Sequence, residues 1–184
     1  MKTLVIIALF ATANLGTSLF ANPTETPDAT PATAFKSQIA FHQFTISTLW
    51  KQYDLAVQRI RNSVGNHASL ERDEAFFISV YQQDIDNDIR VEESKKAITD
   101  IKARYLSAHE KRSAEEALRI AALQIQLKNA LKREAKALNK TKRTYAGLAN
   151  TLPVFAEVES YVNESIERVD MLLADSDEIT IATR

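Results

Sequence analysis

The chain has 184 residues, 23 basic and 24 acidic side chains, a net charge of −1 and no cysteine. That length allows one domain of ordinary size, and the charge balance argues against a nucleic-acid partner. The missing thiol excludes disulfides, thiolate metal sites and a lipid-modified cysteine anchor.

Met1-Lys2-Thr3 supplies one positive charge, residues 4–10 form an apolar core, and a weaker apolar tail ends at Ala21. This is the layout of a secretory signal peptide. Cleavage after Ala21 gives a leader of normal length. Cleavage after Ala13 fits the small-residue rule better but shortens the apolar core, and an uncleaved anchor is the third option. Asn14, Gly16, Thr17 and Ser18 weaken the anchor reading. The expected location is secreted or periplasmic, with no transmembrane span after cleavage. Residues 22–34 hold three prolines and four threonines and read as a disordered spacer.

A helical bundle domain is expected over 35–175, with a flexible tail at 176–184. The first helix covers 35–64, where Ile39, Ile46, Tyr53 and Ile60 recur every seven residues, the seam spacing of a helix packed in a bundle or coiled coil. Gly65 ends it, and Ser69 has the chemistry of an N-cap for the next. Between Gly65 and Gly147 lie 81 residues without glycine or proline, a run with a chance of about 10⁻⁵ at ordinary usage. This span is therefore free to be helical almost throughout. Its apolar stripe shifts from Phe77, Ile78, Tyr81, Ile85 and Ile89 to Val91, Ile98, Ile101 and Tyr105, which marks a register skip, a kink or a break near 84–93. Ser113-Ala-Glu-Glu116 has the form of a capping box, so the reading is a helical hairpin turning near 109–112, with one unbroken helix as the alternative. A third helix follows to about 146, a turn at 147–153, and a fourth helix over 154–174. The expected fold class is all-α, an antiparallel bundle of about four long, coiled-coil-like helices with no sheet.

Charge is segregated by helix. Residues 128–143 carry seven basic side chains and one acidic, and residues 153–184 carry eight acidic and two basic. On a helical wheel Lys128, Lys132, Arg133, Lys136, Lys140 and Arg143 share one arc opposite the apolar face. Glu157, Glu159, Glu164, Glu167 and Asp170 likewise turn away from their helix's apolar stripe. Both faces point outward, and only their edges can meet across the hairpin. The basic face is a candidate binding surface for an anionic surface or for the acidic face of a second copy. Residues 37–50 carry no formal charge, and Phe41 and Phe44 lie opposite the Ile39–Ile46 seam. With Trp50 at its edge, this aromatic patch is the second candidate binding surface: a dimer interface, or the lining of a pocket for an apolar ligand.

Catalytic and metal motifs fail one by one. No histidine follows a glutamate by three, so the di-iron bundle pattern is missing, as is His-Glu-x-x-His. With two glycines after the leader, no phosphate-cradling loop or nucleophile elbow can form. Asp84-Ile-Asp-Asn-Asp88 opens like a calcium loop, but Ile89 and Lys95 stand where glycine and a closing glutamate are needed. No catalytic residue, metal ligand or cofactor is therefore assigned. The expected function is binding, through a protein partner or homo-oligomer, and the alternative is a carrier of a lipid-like ligand between the helices.

Overall fold

The computed structural model describes residues 30–149 and 153–182, the side chains of 148–149 and 176–182 excepted. The expected leader at 1–21 and residues 22–29 of the expected spacer lie outside the described residues. The protein is an all-α helical bundle with no strand among the described residues. Its helices are α1 Pro31–Ser63, α2 Ala68–Asp86, α3 Val91–Thr144, the single turn α4 Ala146–Ala149, and α5 Pro153–Ala182.

α1 begins four residues earlier than the pattern of apolar residues indicates. The Thr30 hydroxyl accepts the Thr33 N–H at 3.4 Å, and Pro31 occupies the first helical position, where a missing N–H costs nothing. Threonine before proline is thus a helix start within the stretch expected to be spacer. α2 starts at Ala68, not after Ser69: His67 is its N-cap without a side-chain bond, and Asn66 Oδ1 accepts the Ala68 N–H at 3.1 Å. α5 continues to Ala182, past the expected end at 174.

The hairpin exists, but its turn lies at residues 87–90. Asn87 N–H reaches Gln83 O at 3.2 Å and Ile89 N–H reaches Asp84 O at 2.8 Å. Asp88 and Arg90 hold φ of 55° and 44°, the left-handed region that side chains other than Gly, Asn and Asp seldom adopt. The expected turn at 109–112 is corrected: α3 passes straight through it. Ser113 and Glu116 are mid-helix, and the Glu116 carboxylate lies 3.9 Å from Arg61 Nε instead of closing a capping box.

The chain divides into two compact units: Met1–Trp50 with Gln126–Asp170, and Lys51–Ile125 with Met171–Arg184. In the first, α1 runs antiparallel to α3 and parallel to α5. Phe35 meets Tyr145 and Phe155 at centroid distances of 5.3 and 6.2 Å. Ile39, Ile46, Leu127, Leu131, Leu138, Val162 and Val169 fill the space between, each burial worth about 1.5–3 kcal/mol. In the second unit Tyr53, Ala56, Val57 and Leu123 are buried, whereas α2 contributes no buried side chain.

Candidate functional site

The charged faces lie in the first unit. Lys132, Arg133, Lys136, Lys140 and Arg143 are exposed on α3 and make no ion pair among the described residues. Glu157, Glu164 and Glu167 are exposed on α5 and are likewise without an ionic partner among them. Only the edges meet. Lys128 pairs with Asp170, and Lys142 Nζ lies 3.2 Å from Glu159 Oε1 and 5.0 Å above the Phe155 ring. Lys128 therefore leaves the basic face to close the α3–α5 seam. The helix period places the charges opposite Leu127, Leu131 and Leu138, so burying that stripe turns the cations to solvent.

The aromatic patch separates. Phe41 and Phe44 are 48% and 67% exposed on the outer face of α1. Trp50 is buried, donates its Nε1–H to Ser165 Oγ at 3.1 Å, and carries the Arg168 guanidinium 4.5 Å above its ring. Nine residues along a helix rotate a side chain by half a turn, so Trp50 and Phe41 cannot line one cavity.

Inside the same unit lies a polar network that periodicity did not reveal. His42 is buried on the α1 seam, with Nδ1 at 2.5 Å from Glu134 Oε1 and Nε2 at 2.9 Å from Thr141 Oγ1. An ionised carboxylate only accepts, so His42 carries a proton on Nδ1. Gln38 Oε1 lies 3.5 Å from the Thr141 hydroxyl. The order carboxylate–imidazole–hydroxyl is that of a nucleophile relay, but Thr141 is buried on the packing face. What the arrangement does is lock α1 to α3 in one register, because sliding either helix leaves polar atoms unpaired in the core. The signal was present: Glu134 and Thr141 interrupt the apolar stripe of α3 seven residues apart, opposite a seam histidine.

The second unit joins the α1–α2 connection to α3. His67 Nδ1 lies 2.5 Å from His109 Nδ1, and Glu74 Oε2 is 4.0 Å from the far nitrogen of His109. Arg112 donates to the Asn66 carbonyl at 2.8 Å. It shares with Arg72, Ser69 and Asn62 a polar hollow of about 220 Å³. His109 lies mid-helix, where a turn near 109–112 was expected, and 42 residues of separation hid its pairing with His67. Among the described residues no three acidic or histidine side chains converge as metal ligands, and no helix is long and apolar enough to cross a membrane.

Comparison with protein-family models, with curated proteins and with solved structures finds no match.

Proposed function

We propose that this chain is an exported helical protein, secreted or periplasmic, that works by binding, and that its partner is a protein surface such as a second copy of itself. The observation that carries this reading is the unneutralised charge on two neighbouring helices: five exposed cations within residues 132–143 of α3 and three exposed carboxylates within residues 157–167 of α5, without ionic partners among the described residues. A nearly neutral chain that only needs solubility gains nothing from sorting its charges by sign, whereas complementary faces steer association and fix orientation. The apolar layout of residues 4–21 supports export.

Sedimentation analysis of the purified protein tests the proposal. Mass should shrink as salt rises toward about 0.5 M, where the screening length is roughly 4 Å. The variant with Lys132, Lys136 and Lys140 changed to Gln should show, already at low salt, the mass that the unaltered protein has at high salt. A mass that ignores both salt and these substitutions removes the charged faces from the function.

A further inference from the structure

Where α1 gives way to α2, two arginines from separate helices line one polar hollow of about 220 Å³. α3 runs without interruption past this connection, and the His67–His109 contact at 2.5 Å fixes the level at which it passes. Arg112 follows His109 by three residues and so lies on the same side of α3. Its Nη1 donates to the Asn66 carbonyl at 2.8 Å and reaches Ser69 Oγ at 3.4 Å. From α2, Arg72 Nε donates to the Ala68 carbonyl one turn earlier at 3.2 Å.

Each guanidinium is thus held at one edge by backbone and keeps further donors to give. A guanidinium has five N–H groups and no acceptor. Arg112 retains those of Nε and Nη2, and Arg72 those of both Nη nitrogens. Neither pairs with a carboxylate among the described residues. The acids nearest in sequence are engaged elsewhere or turned aside. Glu116, one turn beyond Arg112, lies 3.9 Å from Arg61 Nε, and Glu115 pairs with Arg119. Glu74 lies 4.0 Å from His109 Nε2. Glu71 and Asp73 leave α2 about 100° to either side of Arg72.

From this arrangement we infer that the hollow is a binding site for a phosphate group. Hydroxyl, amide and guanidinium groups dominate its lining, so an apolar ligand gains little there. A carboxylate presents two oxygens in one plane and is satisfied by a single guanidinium fork. Two guanidiniums from separate helices and the Ser69 hydroxyl supply donors from different directions, which a phosphate meets with three oxygens and nearly two charges. Because backbone carbonyls already hold both arginines, little rotamer freedom is left to lose on binding. The site lies apart from the cations at 132–143 and is independent of the self-association reading.

Calorimetric titration of the purified protein with sodium phosphate at neutral pH, with ionic strength held constant by sodium chloride, tests the inference. Saturable binding of one phosphate per chain is expected, and acetate should bind about tenfold or more weakly. Arg112→Gln and Arg72→Gln should each weaken phosphate binding about tenfold or more, the loss of a hydrogen bond to a charged group. Arg72 bonds only within its own helix, so its variant stays informative even if Arg112→Gln loosens the α1–α2 connection. Lys111→Gln removes an exposed cation next in sequence but outside the hollow, and should bind phosphate as the unaltered protein does. Glycerol 3-phosphate as a second probe separates the sources of the group. Binding as tight as that of phosphate assigns the site to a phosphate carried on a larger molecule, and weaker binding assigns it to the free ion. The inference is overturned if no saturable phosphate binding occurs, if acetate binds as tightly, or if Arg72→Gln binds phosphate no more weakly than Lys111→Gln.

Discussion

Changing His42 to Leu removes the centre of the buried network. The replacement fills similar space, but it leaves the Glu134 carboxylate, 15% exposed, without its 2.5 Å partner and takes away the 2.9 Å bond to the buried Thr141 hydroxyl. Leaving the part-buried carboxylate without its hydrogen-bond partner costs about 3 kcal/mol, and an orphaned hydroxyl adds roughly 1 kcal/mol. Taken together, about 4 kcal/mol is a large share of the 5–15 kcal/mol typical of a domain, and at roughly 2–4 °C per kcal/mol it lowers the melting temperature by about 8–15 °C. Glu134→Leu alone should cost less, about 1–3 kcal/mol, because it orphans one ring nitrogen. The double variant should lie within roughly 1 kcal/mol of the unaltered protein, since replacing both partners with apolar groups is nearly neutral. Urea denaturation of all four proteins gives the coupling directly. Additive single-variant effects, or a His42→Leu cost below about 1 kcal/mol, would refute the reasoning.

Three further substitutions probe separate joints. Gly65→Ala should destabilise by about 1–3 kcal/mol in urea denaturation, because its Cβ meets Glu116 Oε2 at 2.5 Å and the rigid Arg61 carbonyl at 2.9 Å. Adding Glu116→Ala should recover only part of that loss, since the carbonyl remains. Trp50→Phe should cost about 1–2 kcal/mol by stranding the buried Ser165 hydroxyl and weakening the Arg168 contact. Arg90→Gly should add about 1 kcal/mol of stability in thermal denaturation, because glycine holds a φ of 44° without steric cost.

Much of this architecture is legible from spacing alone, and its failures have physical causes. Ile39, Ile46 and Tyr53 are buried as their seven-residue recurrence requires, and Ile60 near the helix end is half-buried. The cations of α3 face solvent because the leucines opposite them must be covered. The break expected near 84–93 is where the turn falls; the hairpin was assigned to 109–112 instead because the left-handed positions of the true turn are filled by Asp88 and Arg90 and not by glycine. Ser113 and Glu116 imitated a capping box, a pattern of two residues that recurs by chance in polar helix surface. The two histidine pairings depend on how helices stack, which no local period encodes: Glu134 and Thr141 interrupting the apolar stripe of α3 marked a polar site but not its partner, and nothing marked the contact of His67 with His109. Trp50 is different: its separation from Phe41 by half a turn follows from the helix period alone and was legible in the sequence.

Charge reversal decides whether the charges on α3 and α5 are there to be met by a second copy. One variant carries Glu at Lys132, Lys136 and Lys140; the other carries Lys at Glu157, Glu164 and Glu167. At low salt each should associate more weakly than the unaltered protein, because its reversed face meets like charge. Their mixture should restore the association, since the reversed cation face of one is complementary to the reversed acidic face of the other. Association of either variant as strong as that of the unaltered protein, or a mixture no stronger than its parts, would contradict the account.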